Sequence, residues 1–140
     1  QYQSISLSSL PGWDSVMGLQ FENIILNNRS LIQDQLGIKA DEIVCDNPYF
    51  QRETTKHSSC QIDYLIQTKY KTLYLCEIKF VRGEIGATVI REIKEKLAKI
   101  ALPRGSACFP VLIHANAVAA SVREADYFFK IINVSELLNS

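Results

Sequence analysis

The chain carries no net charge, since fifteen Lys and Arg balance fifteen Asp and Glu among 140 residues. It therefore lacks the overall basic signature of an autonomous nucleic-acid binder. No run approaches the ~18 apolar residues of a membrane span, and the opening "QYQSISLSSL" has neither the charged n-region nor the long apolar stretch of a signal peptide. These absences predict a soluble, cytoplasmic protein with no membrane partner. Cysteine is sparse: Cys45, Cys60, Cys76 and Cys108 are widely spaced and form no C-x-x-C pair. That spacing favours buried free thiols over a zinc site or a disulfide framework. There is no internal repeat, low-complexity tract or linker-like run. The first residue is Gln rather than Met, and residues 1–12 read as an N-terminal extension or linker remnant ahead of one domain over residues 13–140.

What is present reads as alternating elements. "LPGWDSVMGLQFENIILNN" starts with turn residues, after which Asp14 or Ser15 can cap a helix from about Ser15 to Asn28. "DEIVCDNPYFQR" is β-rich and interrupted by Pro48, which suits an outer strand with a bend. "QIDYLIQTKYKTLYLCEIKF" reads as two strands joined by a polar turn. In "IGATVIREIKEKLAKIAL", Val89, Ile93, Leu97 and Ile100 form one helical stripe that ends before Pro103 and Gly105. "CFPVLIHA" is a continuous apolar run of the kind found in a strand buried on both faces. A short helix from about Ser121 to Tyr127, a strand at "KIINV" and a terminal "SELL" turn complete the chain. The order is α-β-β-β-α-β with a small αβ tail. It predicts an antiparallel meander, a helical crossover to a parallel fourth strand, and a mixed sheet with helices on both faces.

Three charges stand inside the apolar strands of the central hairpin: Asp63, Glu77 and Lys79. A turn centred on Tyr70 makes Asp63 and Glu77 equidistant from it, so the two carboxylates face each other. Strand alternation then puts Lys79 on their face and Ile62, Tyr64, Ile66, Tyr74, Cys76, Ile78 and Phe80 on the other. Two like charges about 4 Å apart repel by roughly 4 kcal/mol at an effective dielectric near 20. Lys79 could offset this in a purely structural ion pair, or exposure could make it tolerable. A divalent cation fits better, because Mg²⁺ is held by one or two carboxylates and leaves room for phosphate oxygens. Lys79 could then orient or deprotonate a water, or stabilise charge developing on a phosphate. These parts match metal-assisted phosphodiester hydrolysis.

Charge distribution adds a second signal. Residues 1–50 hold two basic residues against six acidic ones, whereas residues 69–104 hold nine basic against four acidic. Lys71, Arg82, Arg91, Lys94 and Lys96 belong to this basic stretch and are the candidate phosphate contacts. A solvated helix face with Glu92–Lys96 and Glu95–Lys99 pairs one turn apart explains it equally well. His57 reads as a surface loop residue, and His114 as a satisfied residue at a strand end.

An acidic residue on one strand followed by E-x-K on the next, here Asp63 and Glu77-Ile78-Lys79 within the α-β-β-β-α-β order, resembles the PD-(D/E)XK nuclease superfamily. That resemblance implies the restriction-endonuclease-like fold, a Mg²⁺ or Mn²⁺ cofactor and DNA as substrate. No proline precedes the aspartate. By the same resemblance Glu22, in "GLQFEN", completes the metal site, giving Glu22, Asp63, Glu77 and Ile78 as metal ligands and Glu22, Asp63, Glu77 and Lys79 as the catalytic set. It also implies that Lys96 and Glu92, on the second helix, contact phosphate or orient the centre. From Trp13 onward, "GWDSVMGLQFENIILNN", "CQIDYLIQTKYKTLYLCEIKF", "VIREIKEKL" and "PVLIH" are together similar to the C-terminal nuclease-like domain of predicted prokaryotic AAA-type ATPases. An upstream ATPase, in the same or a partner chain, is the implied partner, and a homodimer is compatible with it. No G-x-x-x-x-G-K-[ST] occurs here, so these 140 residues do not contain that ATPase. The rival expectation is an inactive nuclease-fold module for DNA binding or docking.

Overall fold

A computed structural model describes residues 13–81 and 83–138. Helix α1 (Trp13–Asn27) is followed after Asn28 by α2 (Arg29–Leu36), and a short 3-10 turn (Ala40–Glu42) leads into the sheet. Strands β1 (Ile43–Gln51), β2 (Cys60–Thr68) and β3 (Thr72–Lys79) form an antiparallel meander. Helix α3 (Thr88–Lys99) then carries the chain to β4 (Ala107–His114), parallel to β3. Helix α4 (Ala120–Glu124) precedes β5 (Lys130–Asn133), parallel to β4, and α5 (Val134–Leu138) follows it. The result is a five-stranded mixed sheet in the order β1-β2-β3-β4-β5. This is the α/β arrangement expected from the order of elements. Among the described residues no helix is long and apolar enough to cross a membrane.

The first helical region differs from expectation, being two helices rather than one. Asn28 marks the break, and its side-chain amide donates to the Ile24 carbonyl at 2.8 Å, competing with the main chain for an acceptor at the helix end. Helix α2 ends where Gly37 adopts φ 73°, a left-handed conformation that costs a residue without Cβ little. Its buried Ile32 and Leu36 then reach the same core as Phe21 and Ile25 of α1.

Two apolar layers sandwich the sheet. One packs α1 and α2 against Tyr64, Ile66, Cys76, Ile78, Val111 and Ile113. The other packs Val89 and Ile93 of α3 and Val122 of α4 against Ile62, Leu75 and Leu112. Side chains of β3 alternate between the layers as period-two geometry requires. The four cysteines are free thiols, but only Cys60 and Cys76 are fully buried; Cys108 is half-buried and Cys45, on edge strand β1, is exposed.

Two glutamine-centred networks, one on the buried Gln51 and one on the half-buried Gln33, fasten the edge strand to its neighbours. Gln51 donates to the Lys99 and Ser58 carbonyls and accepts from the Ala101 N–H, each at 2.7 Å. It thereby satisfies main-chain groups at the C-terminus of α3, which lack intrahelical partners. At the other end of β1, Gln33 of α2 and the fully buried Tyr64 hydroxyl both donate to Asp46 Oδ2, at 2.8 and 2.9 Å.

Candidate active site

The hairpin opens where the charges begin. Pairing between β2 and β3 runs from Gln67 opposite Leu73 to Tyr64 opposite Cys76, the register expected from a turn centred on Tyr70. It stops one pair short of Asp63 and Glu77. On the other side of β2, Asn47 lies opposite Leu65 but Tyr49 lies opposite Ile62, so Asp63 and Tyr64 together face Pro48. This extra residue is a β-bulge, placed where proline has no N–H for the ladder. Its first consequence corrects the expected alternation: Ile62 packs in the α3 layer with Leu75, while Tyr64 and Ile66 pack in the α1–α2 layer. The second is local to Asp63, whose Oδ2 accepts the Ile78 N–H at 2.9 Å. A side-chain carboxylate thus serves as a main-chain acceptor where the strands part.

Glu77 points from β3 toward α3 and is only 4% exposed. Its Oε1 accepts from Lys96 Nζ at 2.8 Å, and Lys79 Nζ lies 3.8 Å from its Oε2. Lys79 is closer to Glu92 of α3, at 3.3 Å. The chain of charges is therefore Lys96–Glu77–Lys79–Glu92. The expected pairing of Glu92 with Lys96 along α3 gives way to one across the helix–strand interface, because a buried carboxylate on β3 requires a counter-charge that an exposed one does not.

Four carboxylates (Glu22, Asp63, Glu77 and Glu92) meet two ammonium groups here, and the excess negative charge is felt. Burial pushes the Glu77 carboxyl above its usual range and Asp63 adds to that, outweighing the opposing pull of Lys96 and Lys79. Glu22, half-buried on α1, is raised for the same two reasons, with Lys96 opposing. For Lys96, burial alone would depress the pKa; its hydrogen bond to Glu77 and the nearby Asp63 reverse the sign and raise it. Asp63 thus acts electrostatically on both α1 and β3. Ion pairs thus join Glu77, Lys79, Lys96 and Glu92, and the charge of Asp63 acts on Glu22 as well as on Glu77 and Lys96.

Other residues singled out in the sequence lie elsewhere or add little. Lys71 occupies the hairpin turn, six residues before Glu77, and so lies roughly 20 Å away along the strand direction. Arg91 is on the exposed side of α3. Lys94, two positions from Glu92, is on the opposite flank of the helix, with its ammonium 5.3 Å from the Tyr127 ring centre. Arg82 and residues 1–12 lie outside the described residues. His57 is an exposed loop residue. His114 is buried at the end of β4, beside Lys79 in the strand register, with Nδ1 2.5 Å from the Asn116 carbonyl oxygen.

Among the described residues, no three His, Cys, Asp or Glu side chains are grouped so as to hold a metal ion as they stand. Both Glu77 oxygens face ammonium groups, and Asp63 Oδ2 is engaged by a main-chain N–H. The donor chemistry nevertheless suits a hard divalent cation, since Glu22, Asp63 and Glu77 supply only carboxylate oxygens. In comparisons with known proteins, no family model, no curated protein and no solved structure matches this chain.

Proposed function

We propose that this domain is a Mg²⁺- or Mn²⁺-dependent deoxyribonuclease of the PD-(D/E)XK type, acting as the C-terminal effector of a larger ATPase. The observation that carries the reading is the buried Glu77 beside Asp63 at the splayed end of the β2–β3 hairpin, with Lys79 on the same strand. The sheet uses Asp63 as an acceptor for the Ile78 N–H, but it does not call for a second, buried carboxylate, and the repulsion between Asp63 and Glu77 works against the metal-free fold. In this reading Glu22, Asp63 and Glu77, with the Ile78 main-chain carbonyl, hold the cation. When bound, it would polarise the scissile phosphate and lower the pKa of the attacking water. Lys79 contributes an ammonium that orients that water or meets the charge developing on the phosphate. Glu92 keeps Lys79 oriented, being its nearer carboxylate. Lys96, with Arg91 on the exposed side of α3, supplies phosphate contacts, and the isolated domain has no overall positive field to bind DNA tightly alone.

A second reading has its own support. Both Glu77 oxygens are already neutralised by lysines, which would suffice for a docking or DNA-binding module without catalysis. Cleavage of a labelled duplex in Mg²⁺ or Mn²⁺ separates the two, with Glu77→Gln as control. Metal-dependent cleavage that disappears in Glu77→Gln supports the nuclease. Duplex binding without cleavage by either protein supports the module.

A further inference from the structure

The phosphate contact assigned to Lys96 is not available in the metal-free arrangement, because its ammonium is committed to Glu77 at 2.8 Å. Building on the nuclease reading, we propose that Lys96 is an internal counter-ion that a divalent cation displaces from Glu77, and that the displaced ammonium is then the group that meets the DNA phosphate. Entry of the metal and engagement of the substrate backbone would thus be one exchange.

Three observations support this. First, Glu77 is almost wholly buried, and a carboxylate there cannot stand unpaired at acceptable cost. Second, Lys96 is its principal partner: Lys79 is 3.8 Å away and lies nearer to Glu92. Third, both Glu77 oxygens already lie near ammonium groups, Lys96 at 2.8 Å and Lys79 at 3.8 Å, so a cation that takes this carboxylate competes first with the nearer of them. Lysine suits the exchange because its ammonium rides on a flexible four-carbon stem, and the Lys96 side chain is partly exposed rather than sealed in. Lys79 can stay in place, held by Glu92 on the outer side of the site. Since the same ammonium cannot serve Glu77 and a phosphate at once, metal and DNA must strengthen each other's binding by equal factors.

Three proteins, wild type, Lys96→Met and Lys96→Arg, test this in a Mn²⁺ titration followed by calorimetry, a readout independent of cleavage. Removing the competing charge should tighten Mn²⁺ binding by about tenfold, the worth of one charged hydrogen bond. Lys96→Arg, which keeps the charge, should remain within about threefold of wild type by the same measure. The gain in duplex affinity on replacing EDTA with Ca²⁺ should be large in wild type and greatly reduced in Lys96→Met. Should the methionine variant fail to fold, acetylation of the wild-type lysines, read by mass spectrometry, gives the same answer. Lys96 should be protected in EDTA and become reactive in Ca²⁺, with Lys99 unchanged. Mn²⁺ binding that is equal or weaker in Lys96→Met, or acetylation of Lys96 that ignores Ca²⁺, overturns the exchange while leaving the nuclease reading intact. If no protein binds Mn²⁺ at all, both fall.

Discussion

The two ends of the β2–β3 hairpin are built from the same strands and solve opposite problems. At the turn end, pairs such as Ile66 opposite Tyr74 and Leu65 opposite Leu75 keep regular register, and alternate side chains enter the two apolar layers. At the open end a bulge interrupts β2, pairing with β3 stops, and a carboxylate accepts a main-chain N–H. The turn end therefore owes its stability to burial, whereas the open end sets repelling carboxylates against two lysines. Truncating a buried side chain at the turn end and neutralising a carboxylate at the open end should therefore change stability in opposite directions.

The largest effect belongs to the turn end. Ile66 is fully buried in the α1–α2 layer, and Ile66→Ala should lower unfolding free energy by about 3 kcal/mol, as cavity-forming truncations do. Urea denaturation would show it as a lower midpoint at unchanged slope. Next comes the catalysis proposed for the open end: on the nuclease reading, Lys79→Ala should reduce cleavage roughly 10²-fold while leaving metal affinity nearly intact, since the ammonium is not a ligand. Joint loss of metal binding and cleavage would show that Lys79 holds the site together instead of serving the chemistry.

Much of this contrast was legible in the sequence, and the misses have physical causes. The meander, the α3 crossover and the Tyr70-centred register follow from period-two and period-3.6 patterns, which burial enforces strongly. The bulge at Asp63–Tyr64 left only an indirect trace, Pro48 on the neighbouring strand; alternation counted on β2 alone puts Ile62 on the wrong face. Helix α2 was missed because Asn28 and Arg29 read as the end of one helix, although Gly37 eight residues later is a recognisable stop signal. Neither reading of Lys96, phosphate contact or one-turn partner of Glu92, anticipates its bond to Glu77, because helix spacing takes no account of a buried acid on the strand beneath. Gln51 and Gln33 carry no periodic signal, since their roles depend on main-chain ends brought near them by the fold.

Smaller effects sharpen the comparison through pH. Glu22 and Glu77 have folded-state pKa values above their ordinary ones, so the folded protein binds these protons more tightly than the unfolded chain does. Their contribution to stability is fully present below the unfolded values and is lost as pH rises through the folded ones. In EDTA, thermal stability should therefore increase as pH falls from 7 toward about 5, before general acid unfolding begins. Lys96 does not disturb this window, because its raised pKa contributes stability that is lost only above the ordinary lysine range. Asp63 raises both glutamates while Lys96 opposes it at both and Lys79 at Glu77, so their balance, with burial, sets the size of the slope. Asp63→Asn keeps an oxygen for the Ile78 N–H but removes the charge acting on both glutamates. It should flatten the pH dependence and raise metal-free stability by no more than about 1 kcal/mol, since Asp63 itself is partly exposed and solvent screens its charge. A variant that melts well below wild type in EDTA would instead make Asp63 a structural residue.

The smallest expected change lies at the turn itself. Lys71 has φ 60°, a left-handed conformation that Cβ disfavours, and its N–H donates to the Thr68 carbonyl at 3.3 Å. Thr68 fixes the same turn by accepting the Tyr70 N–H and donating to the Thr72 carbonyl through its hydroxyl. Glycine adopts this conformation at little cost, so Lys71→Gly should stabilise the protein, with its greater freedom in the unfolded chain holding the gain to about 1 kcal/mol or less. Lys71 is exposed and stands at the far end of the strand from Glu77, so the substitution should leave Mn²⁺ affinity and cleavage unchanged. Its effect on duplex binding then decides how far the basic surface extends. A dependence of affinity on salt equal to wild type would confine phosphate contacts to the α3 side of the site. A slope reduced by about one unit, the signature of one lost phosphate contact, would carry the DNA along the hairpin to its turn.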